Sequence, residues 1–191
     1  MIMKVKKIFV ATIATLCLFF ALVGPATAQS DGQRFPALKA SALVPVADGV
    51  VASGEYAWQA ALKDMKLSLS LSADSSTLYV ALEAPTTGWV AVGLGSTKMN
   101  NSFMVLAYVD KSGAAISEQT GAGFGHKENT LNILRTKATQ EANGSTILEY
   151  SLPAAAYTSW PSLKLIVAYG RSDNFTSKHA KYGAGDVAFA K

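Results

Sequence analysis

Lys66-Leu-Ser-Leu-Ser-Leu-Ser72 alternates apolar and polar residues without a break. A period of two belongs to an extended strand with one covered face, and here it puts Leu67, Leu69 and Leu71 on that face. Ala73-Asp-Ser-Ser-Thr77 follows as a turn cluster, and Leu78-Tyr-Val-Ala-Leu-Glu83 alternates again. The pattern returns in Trp89-Val-Ala-Val-Gly-Leu94 and in Phe103-Met-Val-Leu-Ala-Tyr-Val109. Asp110-Lys-Ser-Gly113 turns the chain into Ala114-Ala-Ile-Ser-Glu-Gln119, and Asn143-Gly144 leads into Thr146-Ile-Leu-Glu-Tyr-Ser-Leu152. Residues 163–169 and 185–190 complete the set, and no helix longer than two turns is visible. The expected fold is all-β: an antiparallel, immunoglobulin-like β-sandwich of about 8 to 11 strands.

The first residues follow another logic. Lys4, Lys6 and Lys7 precede the apolar run from Ile8 to Val23, and Ala26-Thr-Ala28 offers a small-residue cleavage site before Gln29. This is a secretory signal peptide over residues 1–28, so the chain is expected to be exported, periplasmic or extracellular. Residues 29–45 read as a flexible N-terminal segment, and the sandwich domain is expected over 46–191. Cleavage removes three lysines and no acid, which leaves 14 basic against 13 acidic residues. Nothing then remains to attract nucleic acid, or to hold the mature chain on an anionic membrane. The only cysteine, Cys17, leaves with the leader. That excludes disulfides, thiolate metal sites, thiol nucleophiles and the Cys-x-x-Cys-His attachment of c-type haem. A mature chain of this size must hold itself together by its core.

Few residues are left to carry chemistry. Met99 lies in the polar loop Ser96-Thr-Lys-Met-Asn-Asn-Ser102, an unusual place for a residue that normally fills gaps inside apolar runs, as Met104 does. His179, one of two histidines, follows the late strand in Thr176-Ser-Lys-His-Ala-Lys-Tyr182. Each stands just beyond a strand end, so the two are expected to meet across one end of the sandwich. A thioether and an imidazole form an axial pair for haem iron. The ordinary alternatives are a packed loop methionine and a surface histidine. His126 closes the glycine-rich Gly121-Ala-Gly-Phe-Gly-His126, which reads as a flexible loop, since no Lys-Ser/Thr ending makes it a phosphate loop. Two histidines without cysteine make a poor structural zinc site. No Gly-x-Ser-x-Gly is present, and no catalytic residue is assigned.

Asp48-Gly-Val-Val-Ala-Ser-Gly-Glu-Tyr-Ala-Trp58, Thr87-Gly-Trp-Val-Ala-Val-Gly-Leu-Gly95, the loop with Met99, and Phe103-Met-Val-Leu-Ala-Tyr-Val-Asp110 together resemble the DOMON domain. The ending Ala168-Tyr-Gly-Arg-Ser-Asp-Asn-Phe-Thr-Ser-Lys-His-Ala-Lys-Tyr-Gly183 resembles the secreted bacterial branch of that family. The resemblance spans residues 46–191. It implies a sandwich that binds either a b-type haem or a sugar. The chain is similar to haem-binding members such as the cytochrome domain of cellobiose dehydrogenase, whose ligand positions fall on Met99 and His179. Relatives that use lysine for the histidine make Lys178 and Lys181 competitors, and His126 leaves a bis-histidine pair open.

On this resemblance the function is outer-sphere electron transfer by noncovalent haem b, not catalysis. Met99 and His179 fill both axial positions, and the partners are haem and an unidentified redox protein. Leu94, Phe103, Met104, Phe124, Phe175 and Tyr182 are expected as apolar walls, with Arg171 and Lys181 pairing with the propionates. The rival is a carbohydrate or other small-ligand module without haem. It would need exposed aromatics, for which Trp58, Tyr157 and Trp160 are candidates, while Trp89 reads as core.

Overall fold

The computed structural model describes residues 35–190, so the signal peptide expected over 1–28 lies outside the described residues. Twelve strands follow one another in this span. They begin with β1 Ala40–Ser41, β2 Trp58–Leu62, β3 Met65–Ser72, β4 Thr77–Ala84, β5 Val90–Leu94 and β6 Phe103–Asp110. They continue with β7 Gly113–Ala122, β8 Gly125–Glu128, β9 Thr136–Ala142, β10 Ser145–Pro153, β11 Ser162–Tyr169 and β12 Lys181–Ala188. One short helix, α1 Ala155–Thr158, precedes β11. Among the described residues no helix is long and apolar enough to cross a membrane.

The strands form two six-stranded sheets. The first runs β1-β3-β4-β10-β9, with β2 also on β3; the second runs β12-β11-β5-β6-β7-β8. Every pairing is antiparallel except that of β1 with β3. The leucines of the opening stretch do what their alternation dictates. Leu67, Leu69 and Leu71 stand opposite Leu82, Val80 and Leu78, which in turn face Leu148, Tyr150 and Leu152. The second sheet answers with Val90, Val92, Leu94, Val105, Leu165 and Val167, and the two inner faces make one core. Asn143 and Gly144 both take positive φ, +53° and +78°, as a tight hairpin between β9 and β10 requires.

The twelve strands exceed the expected count because four carry weak patterns. β1 and β2 precede or flank the first clean alternation, β8 lies in the glycine-rich stretch, and β9 is the polar run Thr136-Lys-Ala-Thr-Gln-Glu-Ala142. Order also begins before Val46. Leu38 is buried, bridges to Phe189, and donates its N–H to the Ala188 carbonyl at 2.8 Å. Ala40 pairs with Leu71, so residues 38–41 belong to the sandwich and not to a loose segment.

The outer face of the first sheet is covered too. Alternation sends Ser68 and Ser70 to solvent, but both are buried, because residues 48–57 fold across them. Ser70 Oγ accepts the Ala57 N–H at 2.8 Å. Beside them, fully buried Glu149 accepts the Tyr56 hydroxyl at 2.8 Å on one oxygen, and the Gly49 and Asp48 N–H groups at 2.8 and 3.3 Å on the other. Inside the core, the Tyr150 hydroxyl finds no hydrogen-bond partner among the described residues. An unsatisfied buried hydroxyl costs about 1–3 kcal/mol, so Tyr150→Phe is expected to raise stability by about 1 kcal/mol. Urea midpoints of the two proteins check this; a lower midpoint for the phenylalanine variant counts against it.

Candidate functional site

Strand β5 is buried along its whole length, on both faces. Val90, Val92 and Leu94 point between the sheets, so Ala91 and Gly93 point out. A strand apolar on both faces needs a cover on both. The outer cover is a second apolar cluster: Trp89, Ala91, Met104, Leu106 and Ala168, with Met99, Tyr108 and Phe175 packed against it. The register builds a shallow floor. Ala91 stands between Leu106 and Ala168, and Gly93 between Met104 and Ile166.

Two loops close over this floor. The loop with Met99 leaves the C-terminal end of β5. The loop with His179 leaves β11, which is antiparallel to β5 with Tyr169 opposite Val90, so it rises from the other end. The two donors therefore do not flank one end of the sandwich, as their positions after strand ends suggest. Their loops come from opposite ends and fold over one outer sheet face, where Met99 and Phe175 both pack on the second cluster.

Both loops are held firmly. The Trp89 indole lies over Gly170, where any Cβ would overlap the ring, and its Nε1–H donates to Ser177 Oγ at 2.8 Å. Ser177 in turn donates to the Asn174 carbonyl at 2.8 Å, two residues before His179 in the same turn. On the other side, Ser102 N–H and Oγ–H both donate to the Met99 carbonyl, at 3.1 and 2.7 Å. Asn101 N–H donates to the Gly121 carbonyl at 3.0 Å, and Gly123 N–H donates to Asn100 Oδ1 at 2.8 Å. A Cβ at Gly121 would overlap the Met99 carbonyl oxygen. Gly121→Ala is therefore expected to push the Met99 loop off β7 and to cost about 1–3 kcal/mol, the usual range for overpacking. Chemical denaturation, with the Met99 methyl resonance as a local reporter, checks both effects; an unshifted methyl would rule out the coupling.

The expected site residues divide clearly. Met99, Met104 and Phe175 belong to the second cluster, with the Tyr108 and Phe175 rings 4.6 Å apart. Tyr182 stands opposite Ala168 on the same face, and the exposed His179 ring lies 5.0 Å from it. The His179 nitrogens have no hydrogen-bond partner among the described residues. Leu94 and Phe103 are not walls of this face, because alternation turns them into the core between the sheets. Phe124 is fully exposed at the tip between β7 and β8 and covers nothing. Arg171 is exposed at the start of the His179 loop. Lys181 already has a partner: its Nζ is 2.6 Å from Asp64 Oδ2, which also accepts the Tyr169 hydroxyl at 3.0 Å. His126 is not in a loose loop but on β8, opposite Gly121. Of the aromatics considered for sugar stacking, Trp58, Trp89 and Tyr157 are buried and Trp160 alone is exposed.

Trp89, Ala91, Leu106 and Ala168 were missed as floor residues. Their signal was present, since Trp89-Val-Ala-Val-Gly-Leu94 carries no polar residue on either face.

The comparisons agree with this fold. The DOMON domain model matches residues 62–156, and the chain carries a domain of that family. The match includes Met99 and ends before His179. The cytochrome b domain of pyranose dehydrogenase from Coprinopsis cinerea superposes with a TM-score of 0.54 at 15% identity, covering 65% of this chain and 76% of that one. The cytochrome domain of Myriococcum thermophilum cellobiose dehydrogenase gives 0.54 at 14% identity, covering 70% and 81%. At such identities the likeness is one of fold. No curated protein matches the sequence.

Proposed function

We propose that this chain is an exported b-type haem domain that passes single electrons to a partner protein, with Met99 and His179 as the axial ligands. The observation that carries this reading is the outer face of β5: an apolar floor between two braced loops, one with a thioether and one with an unpartnered imidazole. Among the described residues no three His, Cys, Asp or Glu side chains gather. Two lone donors on opposite sides of an apolar floor suit a metal that brings its own equatorial nitrogens.

The group, when bound, supplies a one-electron iron couple whose ferrous form the thioether favours. The chain's own residues do the rest. Ala91 and Ala168 give the group a low floor of small side chains, while Met104, Leu106 and Phe175 would exclude water from it. Trp89 orients the His179 loop through Ser177, and Ser102 orients Met99 through its carbonyl. Arg171 is an exposed cation at this loop that could pair with a propionate; Lys181 is engaged by Asp64. Of the aromatics considered for the sugar reading, Trp160 is the one that stays exposed.

Haem titration of the mature protein, followed by dithionite reduction, tests the proposal. A stoichiometric Soret band with split α and β bands on reduction is expected. A broad free-haem spectrum at every ratio would end it.

A further inference from the structure

Of the five methionines, Met1 and Met3 fall in the expected signal peptide, which leaves Met65, Met99 and Met104. The fold treats these three differently. Met65 is 1% exposed in the inner core, and Met104 is 6% exposed in the outer cluster. Met99 is partly exposed, because it packs on the outer cluster from the loop above it. The Met99 carbonyl takes both Ser102 donors and lies where a Gly121 side chain would be. The main chain thus fixes the loop, which carries the thioether to the edge between apolar cluster and solvent.

A thioether in that position meets oxidants first. Thiols would compete for them, but the only cysteine, Cys17, lies in the expected signal peptide. Peroxide reacts at the sulfur lone pair: a sulfur–oxygen bond forms, the oxygen–oxygen bond breaks, and the departing hydroxide takes up a proton and leaves as water. Sulfur is oxidised by two electrons and the peroxide is reduced by two. The product is methionine sulfoxide, a polar side chain in place of an apolar one. The buried members of the outer cluster offer one side-chain donor, the Trp89 indole, and Ser177 already takes it. A sulfoxide oxygen without a donor is costly to bury, so the oxidised side chain turns out to solvent.

We infer that Met99 is the oxidation site of this domain, and that its sulfoxide form does not take up haem. The second half rests on the haem reading above; the first does not. Oxidation before loading holds the chain in a haem-free form, bound haem shields the same sulfur, and a methionine sulfoxide reductase reverses the block.

The test exposes the haem-free protein to hydrogen peroxide and follows the gain of one oxygen by peptide mass. Met99 is expected to react at least about 10-fold faster than Met65 and Met104, which become accessible only when the fold opens. Met99→Leu should gain no oxygen over the same time. The oxidised protein, titrated with haem, should lack a sulfur-to-iron charge-transfer band and bind at least about 10-fold more weakly, and sulfoxide reductase should restore both. Equal rates at the three methionines would overturn the inference and leave the haem proposal standing. Selective oxidation with unchanged haem binding would overturn it too, and would remove Met99 as a ligand. If the untreated protein binds no haem, the haem reading falls and takes the block with it, while the three rates still decide the oxidation site.

Discussion

Alanine in place of His179 is expected to turn the haem-loaded protein from low spin to high spin while the sandwich stays folded. The side chain is exposed, and its one ring contact is with the tilted Tyr182 ring, so its loss should change folding stability by no more than about 0.5 kcal/mol. The effect on haem should be far larger. Weakening only the groups behind a ligand costs about 10- to 100-fold in affinity, so removing the ligand itself should cost about 100-fold or more. Absorption spectra at graded haem concentrations give both quantities. Met99 and His126 lie on the other side of the face and cannot replace His179. A low-spin spectrum that survives the exchange would reject His179 and point to Lys178, the adjacent exposed amine in the same loop. Unfolding of the variant without haem would instead show that the histidine is structural.

Glu149→Ala is expected to be the most damaging single change to the fold. Glu149 takes three donors: the Tyr56 hydroxyl and the N–H groups of Gly49 and Asp48. Alanine would leave all three without an acceptor under the segment that covers the first sheet. At about 1–3 kcal/mol for each stranded group, the loss should reach at least about 3 kcal/mol. Burial raises the Glu149 pKa above its ordinary value, and the hydrogen bonds only partly oppose this. A carboxyl whose folded pKa is raised contributes stability that is full below the unfolded pKa and lost as pH rises through the folded one. The wild-type protein should therefore lose stability from this group as pH rises above the usual glutamate range. Glu149→Gln should flatten that slope, because its oxygen can accept the N–H groups while its amide donates to Tyr56. Urea unfolding of the three proteins between mildly acidic and neutral pH checks the prediction. An alanine variant within 1 kcal/mol of wild type, or an unchanged slope in the glutamine variant, would contradict it.

Much of the sandwich was legible because its inner faces alternate strictly. Leu67, Leu69 and Leu71, or Val105 and Ala107, need no context to be placed. The weaker strands are those in which pairing, not patterning, holds the backbone. β9 has hardly an apolar residue and exists because β10 offers it a full ladder. β8 is carried by Gly121 and Ala122, whose partners His126 and Gly125 show no alternation at all. The two buried outer faces were harder still. Ser68 and Ser70 look solvated until residues 48–57 are laid over them.

Met99 and His179 could be singled out because methionine in a polar loop and a lone histidine are chemically conspicuous. Where each lies on the sheet was not legible. Both follow strands, yet β5 and β11 run in opposite directions, a fact set by sheet order. Leu94 and Phe103 were assigned to the wrong side for the same reason: nearness in sequence to Met99 says nothing about which face a strand residue takes. Lys181 was claimed by Asp64, more than a hundred residues earlier.

The hydrogen bonds that anchor the Met99 loop run through main-chain groups and the Ser96, Asn100 and Ser102 side chains; the Met99 side chain makes none of them and only packs on the second cluster. Position 99 can therefore be exchanged while the loop keeps its shape. Scaffold and chemistry are separable there, and descendants or engineered versions of this domain can sample other donors, hence other electrochemical set points, without having to learn to fold again.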